Sequence, residues 1–226
     1  MRPRLTQLKE LGLNVSASNK FVKRLFDIVV SFIGLLMAAP VIAVGWVAAA
    51  ISTRNNGFFV QQRIGLNGKP FPVLKLRSMR VMPEIQSSVT ADGDRRITKT
   101  GRILRKLKID ELPQLWNVLV GQMSLVGPRP DVAGFADQLQ GGDRVVLTIR
   151  PGITGPATIA FRNEEEILAS VDNPEVYNRE VIWPEKVAIN KQYIQEQSLV
   201  GDIKLLWQTV VGTRICLLYT SPSPRD

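Results

Sequence analysis

The chain has 226 residues, 45% of them hydrophobic, and a formal net charge of +9. It contains no histidine and one cysteine, Cys216, which excludes imidazole catalysis, an intrachain disulfide and a multi-cysteine metal site. Any catalysis must therefore rely on carboxylates, hydroxyls, lysines or a carboxylate-bound metal. The basic excess indicates an acidic partner: nucleic acid, anionic lipid or a phosphorylated substrate.

The first distinctive segment is an uncharged, mostly apolar run of 24 residues from Ile28 to Ile51. A helix needs about 20 apolar residues to cross a bilayer core, so the run is long enough. Pro40 lies at its middle, where it removes a backbone donor and disfavours a straight helix. Residues 1–24 carry a net charge of +5 and residues 52–80 a net charge of +6. Because cytoplasmic flanks gather Lys and Arg, we predict a helix that enters the membrane, breaks at Pro40 and returns.

The chain divides into four predicted parts. Residues 1–19 form a flexible arm, 20–51 the re-entrant membrane element and 52–215 a cytoplasmic domain. Residues 216–226 continue no periodic pattern, and we predict a non-native tail there. Two short strands, 58–60 and 71–76, flank a turn at Gly65 to Gly68. The predicted fold class is α+β, mainly helical, with a small β element beside amphipathic helices.

Helical periodicity returns after residue 97. The spacing predicts a basic amphipathic helix from Thr98 to Leu107, suited to lie on an anionic membrane. A solvated face over a soluble core is the alternative. A second helix is predicted from Asp110 to Val120, with Pro113 in its first turn. Rigid loops are expected at 127–130 and 150–155, and two more helical patterns at 174–211.

The adjacent carboxylates Asp110 and Glu111 are the best catalytic candidates. Asp110 stands where the N-cap of the second helix is expected, and backbone donors there would keep it ionised. The same helix end favours phosphate oxygens. An ionised aspartate in such a place can serve as a nucleophile or a metal ligand. The alternative is an ordinary capping aspartate followed by a first-turn glutamate.

A second group of candidates consists of cations in strands and stiff loops. Guanidinium groups bind phosphate bidentately, and a lysine supplies a compact point charge. Together with the carboxylate pair, they would make a diphosphate site, unless they are only surface charges of a basic protein. The group comprises Lys75, Arg77, Arg129 and Arg150.

Taken together, these pieces resemble the small monotopic phosphoglycosyl transferases, bacterial sugar transferases that start capsule, exopolysaccharide and O-antigen assembly. The resemblance runs from residue 23 to about residue 211. Two departures are Ala39, where a serine often precedes the proline, and Pro156-Ala157, where many relatives have Trp-Ala-Gln. Four motifs carry the resemblance: 75–79 (KLRSM), 109–118 (IDELPQLWNV), 124–130 (SLVGPRP) and 150–155 (RPGITG).

The resemblance implies a helix break at Ala39-Pro40 and a catalytic part on the cytoplasmic face of the bacterial inner membrane. It implies that Asp110 attacks the sugar-linked phosphate of a UDP-sugar, releasing UMP, and that polyprenol phosphate then accepts the phosphosugar. Glu111 would act as a metal ligand or proton acceptor. The implied Mg²⁺ ligands are Asp110 and Glu111, and the implied phosphate-binding residues are Lys75, Arg77, Arg129 and Arg150.

Other interpretations stay open from the sequence. A non-catalytic, membrane-anchored basic protein could bind acidic lipid or nucleic acid, but it gives no role to the carboxylate pair. A transferase with a single membrane span is a further alternative. The transferase interpretation expects UDP-sugar, polyprenol phosphate and anionic inner-membrane lipids as partners, and no nucleic acid. It leaves open the sugar, the glycan pathway and whether the chain forms a homodimer.

Overall fold

The computed structural model describes residues 17–82 and 94–211. Helices dominate this part of the chain, and the β structure is limited to two small two-stranded sheets. This confirms the mainly helical α+β class. The predicted tail at 216–226 lies outside the described residues, as does the predicted arm except for residues 17–19.

Helix α1 (Ala17–Thr53) contains the whole apolar run and places Pro40 inside a continuous helix of 37 residues. The predicted interruption at Ala39-Pro40 is therefore not confirmed. A proline removes one intrahelical hydrogen bond and can bend a helix without ending it. By length and composition, the segment Lys20–Thr53 is the one candidate membrane span in the described part of the chain. Only 11% of its most apolar stretch of 18 residues is buried inside the protein.

Both ends of α1 contact the rest of the chain. Near its start, Lys23 Nζ lies 2.5 Å from Asp202 Oδ2, and the carboxylate of Asp27 accepts a hydrogen bond from the Leu125 amide at 3.2 Å. Near its end, the Ser52 carbonyl accepts a hydrogen bond from Arg80 Nε at 3.2 Å. Between these contacts, the apolar side chains of α1 are mostly exposed.

The two predicted strands form a β-hairpin next to the end of α1. Strands β1 (Phe58–Ile64) and β2 (Pro70–Leu76) pair antiparallel, with Phe58 opposite Leu76. The short 3₁₀ turn Leu66–Gly68 joins them, and Asn67 and Gly68 both have positive φ. Asparagine and glycine tolerate this conformation better than other residues, which explains why the turn forms here.

The predicted amphipathic helix is confirmed as α2 (Lys99–Lys106). The Thr98 side chain caps its start by accepting a hydrogen bond from the Gly101 amide at 2.8 Å. Leu104 is buried, whereas Ile103 and Leu107 are exposed, so the helix also presents apolar residues to the outside.

The next predicted helix, from Asp110 to Val120, is wrong as a single element. The structure has a 3₁₀ turn at Ile109–Glu111, followed by helix α3 (Gln114–Leu119). Lys108 has a left-handed backbone (φ 57°) directly before the 3₁₀ turn. Pro113 has no amide hydrogen and stands directly before α3, so it suits a helix start but not a helix interior.

Two three-residue strands were not predicted: one lies inside the predicted rigid loop 150–155, and the other directly precedes the predicted loop 127–130. Strand β3 (Ser124–Val126) pairs in parallel with β4 (Gly152–Thr154). Strands this short show no useful alternation of apolar and polar residues, so the sequence pattern does not reveal them. All three residues of β3 are buried.

The C-terminal half packs several helices around these strands. Two 3₁₀ segments, Ala136–Gln138 and Gly141–Thr148, precede β4. The buried core joins β1, β2, α3 and β3 to the long helices near the C-terminus. After β4 come α4 (Pro156–Ala160), α5 (Glu164–Ala169), α6 (Pro174–Tyr177), a π-helical turn at Asn178–Ile182, α7 (Trp183–Glu196) and α8 (Leu199–Val211).

Candidate active site

Asp110 is the buried member of the carboxylate pair. It belongs to the 3₁₀ turn Ile109–Glu111, and 7% of its surface is exposed. Its Oδ1 atom is buried and has no hydrogen-bond partner in the part of the chain that the structure describes. A buried carboxylate oxygen without a partner is costly in a folded protein, so such an atom is a candidate for contact with a substrate or an ion.

Glu111 points into a cluster of cations. Arg129 Nη2 donates to Glu111 Oε1, and Arg129 Nη1 lies 3.4 Å from Oε2. Lys75 Nζ lies 3.6 Å from Glu111 Oε1. The side chain of Glu111 is 12% exposed and that of Arg129 is 35% exposed, so the arginine keeps one face open toward a ligand.

The pairing of β3 with β4 positions Arg129. The Gly127 amide donates to the Thr154 carbonyl at 2.9 Å, and the Gly152 amide donates to the Pro128 carbonyl at 2.8 Å. A Cβ atom on Gly152 would lie 2.1 Å from the Gly127 nitrogen, so only glycine permits this approach. The proline on each side of Arg129 further restricts its backbone.

The pKa values of the two adjacent carboxyl groups shift in opposite directions. Burial raises the pKa of Asp110 to about 6, and the charge of Glu111 raises it as well, against the opposing effect of Lys75. Burial also acts to raise the pKa of Glu111, but Arg129 and Lys75 together outweigh it and hold the pKa well below its usual range. The predicted N-cap position that would keep Asp110 ionised is wrong, because Asp110 lies inside a buried 3₁₀ turn.

Lys75 is a cation of the site whose pKa is shifted close to neutral pH. Burial and the nearby Arg129 together lower its pKa to about 8, although Glu111 opposes both effects. Lys75 therefore remains mainly charged at neutral pH, close to both carboxylates. Asp110 at the same pH is mainly ionised and has an oxygen free to bind or attack.

The structure does not bring the other two predicted cations into this cluster. Arg77 donates to the backbone carbonyls of Asn56 (2.8 Å) and Phe58 (3.3 Å) and lies over the ring of Phe59. Arg150 Nε donates to the Gly121 carbonyl at 2.8 Å, just beyond α3. Both arginines donate hydrogen bonds to backbone carbonyls in this structure. Their role in binding phosphate stays a prediction.

Further cations near the carboxylates were not among the predicted site residues. Arg105 and Lys108 both lower the pKa of Asp110, although burial dominates it. Arg63 donates to the Pro130 carbonyl at 3.3 Å and contributes to the field at Lys75 and Glu111. Arg105 and Lys108 lie within five residues of Asp110, so their proximity was readable from the sequence. Arg63 is distant in sequence and gave no such signal.

The donor set suits Mg²⁺ best when substrate phosphates supply further ligands. Within the described ranges, no group of three or more His, Cys, Asp or Glu side chains lies close enough to hold a metal. Mg²⁺ often binds through one or two carboxylates, water and substrate phosphates, and the unpaired Oδ1 of Asp110 suits that arrangement. The oxygens of Glu111 already contact Arg129 and Lys75, so Glu111 is the weaker ligand of the predicted pair.

Changing Arg129 to methionine should lower the free energy of unfolding by about 2–3 kcal/mol, because Glu111 would stay buried without its main partner. Breaking a fully buried pair costs about 3–5 kcal/mol, and the partial exposure of Arg129 reduces that value. Adding Glu111→Gln should recover part of the loss. Chemical unfolding in detergent micelles, analysed as a double-mutant cycle, measures the coupling. Additive single losses would contradict the pairing.

The chain belongs to the bacterial sugar transferase family, whose model matches residues 18–214. This confirms the resemblance seen in the four motifs. The matched range includes all of α1 except its first residue, both carboxylates and every cation of the predicted site.

Two relatives named as sugar-phosphate transferases share this region. The chain is 37% identical over 201 residues to UDP-glucose:undecaprenyl-phosphate glucose-1-phosphate transferase of Escherichia coli (strain K12), covering 87% of the chain and 41% of that protein. It is 34% identical over 210 residues to undecaprenyl-phosphate galactose phosphotransferase of Salmonella typhimurium, covering 85% and 40%. The chain therefore spans about two fifths of the length of these two relatives.

A shorter relative matches over most of its length. The exopolysaccharide production protein ExoY of Rhizobium meliloti (strain 1021) is 32% identical over 211 residues, which cover 86% of this chain and 85% of that protein. The region shared with the longer relatives thus corresponds to nearly the whole of a smaller one.

Proposed function

We propose that this chain transfers a sugar-1-phosphate from a UDP-sugar to polyprenol phosphate, giving a polyprenyl-diphosphate sugar and UMP. The reaction would initiate a bacterial surface glycan such as exopolysaccharide, capsule or O-antigen. The buried, unpaired Oδ1 of Asp110 beside the cations around Glu111 is the observation that carries the proposal. The names of the relatives, which include undecaprenyl-phosphate sugar-phosphate transferases, support it.

The first step of the proposed mechanism takes place on Asp110. Its carboxylate oxygen attacks the sugar-linked phosphorus, a new P–O bond forms, and the P–O bond to UMP breaks. Arg129 and Lys75 stand where they can neutralise charge on the phosphoryl oxygens, which would otherwise repel an anionic nucleophile. A bound Mg²⁺ would supply further charge neutralisation of this kind.

The second step regenerates the enzyme. A phosphate oxygen of polyprenol phosphate attacks the phosphorus held on Asp110, and the bond between the aspartate and phosphorus breaks. Glu111, held ionised by Arg129 and Lys75, would orient these two cations in both steps. Its pKa lies so far below neutral that it is a poor proton acceptor at neutral pH, which favours an electrostatic role.

The lipid acceptor requires a site at a membrane surface, and we propose that α1 provides it as a re-entrant element. Contacts of both ends of α1 with the same domain support this placement, because a domain that lies on one face of the membrane would hold Lys23 and Ser52 on that face. The cationic flanks support it too. A single span would separate the two ends across the bilayer.

An apolar groove supports the binding of a lipid next to this site. The groove, about 480 Å³, lies along α1 from Leu35 to Val47, and Phe58 of β1 completes its lining. Gly45 lies on the same segment, and a Cβ atom there would contact Leu76 and Ile109, which neighbour Lys75 and Asp110 in the chain. The segment of α1 that forms the groove thus packs next to Ile109, the residue before Asp110.

The proposed reaction is tested by UMP release from a panel of UDP-sugars. We expect the full chain in lipid nanodiscs with polyprenol phosphate and Mg²⁺ to turn over at least one UDP-hexose or UDP-N-acetylhexosamine. Release should stop when the divalent cation is chelated. Failure with every donor, under conditions in which the Escherichia coli relative is active on UDP-glucose, would refute the transferase and leave the non-catalytic anchored protein as the alternative.

A further inference from the structure

A second polar site lies away from the carboxylates, at the C-terminal end of α1. It is a pocket of about 370 Å³, which we call the basic pocket. Four cationic side chains and three hydroxyl side chains line it, together with Ile97. They are Arg80, Arg95, Arg96, Lys99, Ser52, Thr98 and Thr100.

The basic pocket carries a net positive charge that the described residues do not balance. Arg96 is paired with Asp94 at 2.6 Å, which cancels one of the four charges. Arg80, Arg95 and Lys99 have no ion pair within the described ranges, so three positive charges remain. The first turn of α2 adds the positive end of a helix dipole at Lys99. The chemistry favours an anion with several oxygen atoms.

The position of the basic pocket favours a lipid phosphate over other anions. The uncharged run of α1 ends at Ile51, whose side chain is 73% exposed, and Ser52 is the next residue. The Ser52 carbonyl accepts a hydrogen bond from Arg80, which ties the pocket to the end of the apolar segment. If α1 lies in the bilayer, the pocket lies at the level where lipid phosphates are found.

We propose that the basic pocket binds the phosphodiester headgroup of an anionic phospholipid such as phosphatidylglycerol. The net positive charge disfavours the choline or ethanolamine cation of a zwitterionic lipid, whereas an uncharged glycerol headgroup brings no cation into the pocket. A lipid bound there would fix the end of α1 at the membrane surface, next to the β-hairpin that carries Lys75. This inference rests on the proposed membrane placement of α1.

The test measures lipid selectivity with the full chain in phosphatidylcholine nanodiscs. Spin-labelled phosphatidylglycerol or phosphatidylcholine is added in small amounts, and electron paramagnetic resonance gives the ratio of their association with the protein. We expect a clear preference for phosphatidylglycerol in the unchanged chain. Arg95→Gln combined with Lys99→Gln should reduce it by about fivefold for each charge removed.

Two further variants distinguish binding at the basic pocket from attraction by the overall positive charge of the protein. Lys69→Gln with Arg179→Gln removes the same charge at exposed positions that do not line the basic pocket, and the preference should persist. Arg95→Lys with Lys99→Arg keeps the charge and should keep the preference. Equal preference in the unchanged chain and the Arg95/Lys99 glutamine variant, or an equal loss in the Lys69/Arg179 variant, would overturn the site.

Competition distinguishes a lipid headgroup from a soluble phosphate. Inorganic phosphate and UDP, added at millimolar concentration, should not displace the spin-labelled phosphatidylglycerol, and displacement by either would overturn the assignment to lipid. UMP release is followed in the same nanodiscs. Loss of lipid selectivity with turnover retained refutes this inference alone, whereas absence of turnover with selectivity retained refutes the proposed reaction alone.

Discussion

Replacing Asp110 with asparagine is expected to lower sugar-phosphate transfer by at least about 10³-fold, because an amide cannot form the acyl phosphate. The fold should persist. Burial raises the pKa of Asp110 to about 6, so the ionised carboxylate opposes folding above that pH, and a neutral amide removes the opposition. The gain in unfolding free energy at neutral pH should be at most about 3 kcal/mol.

Two measurements separate this prediction from a simple loss of structure. UMP release reports turnover, and the thermal unfolding midpoint in detergent micelles should be equal to or above that of the unchanged chain. Asp143→Asn is the matched control, because Asp143 forms a half-exposed ion pair with Lys191 and should leave turnover intact. A less active but also strongly destabilised Asp110 variant would contradict the reason given for the loss.

The covalent intermediate has its own expected result. Incubation with the UDP-sugar in the absence of polyprenol phosphate should add one sugar phosphate to the protein, and peptide mass spectrometry should locate it on Asp110. The Asp110→Asn variant should carry none. A phosphosugar found on Glu111 would reverse the proposed roles of the two carboxylates, and UMP release without any adduct would indicate direct transfer.

The second large effect is expected at Lys23, where α1 joins the C-terminal helices. Asp202 is 1% exposed, and its carboxylate contacts Lys23 Nζ at 2.5 Å and Tyr193 Oη at 2.7 Å. Lys23→Met leaves this buried carboxylate without its positive partner. We expect the free energy of unfolding to fall by about 3 kcal/mol at neutral pH, as measured by chemical unfolding in detergent micelles.

This loss should depend on pH in a defined direction. Burial raises the pKa of Asp202 above its ordinary value, against the lowering effect of Lys23, so removing Lys23 raises the pKa further. The folded state then holds the Asp202 proton more tightly than the unfolded chain does, and stability falls as pH rises through the raised pKa. The variant should therefore be less impaired at about pH 5 than at about pH 7.5.

The control for Lys23 is a second charge removal at an exposed pair. Lys191→Met breaks the ion pair between Lys191 and Asp143, whose side chains are 39% and 48% exposed. This change should lower the free energy of unfolding by less than about 1 kcal/mol. Lys23→Met combined with Asp202→Asn should recover much of the lost stability, since the double variant no longer buries the Asp202 charge without its partner. An effect of Lys23→Met that does not change with pH, or that Asp202→Asn does not relieve, would contradict the proposed cause.

Local patterns in the sequence predicted the elements that local interactions control. The apolar run became α1, the 3.6-residue spacing after Thr98 became α2, and the two alternating segments became the β1–β2 hairpin. The order of the four motifs also identified the family, because motifs are properties of the chain and need no contacts to be read.

The short elements depended on partners elsewhere in the chain. Strands β3 and β4 are three residues each and exist because Gly127 and Gly152 allow their backbones to approach closely. The left-handed backbone of Lys108 separates the 3₁₀ turn Ile109–Glu111 from α2, and no glycine or asparagine at this position signals it in the sequence. Patterns of hydrophobicity do not report either feature.

For the candidate site, the sequence alone determined which chemical groups are present: a carboxylate pair, many cations and no imidazole. It also placed Asp110 and Glu111 side by side. Only the tertiary structure decided which cations meet them, with Lys75 and Arg129 at Glu111 and with Arg77 and Arg150 at backbone carbonyls instead. It also decided that Asp110 is buried, so its pKa rises to about 6 instead of falling. The physical reason is that side-chain identity is written along the chain, whereas burial and Coulomb interactions depend on distances between residues far apart in it.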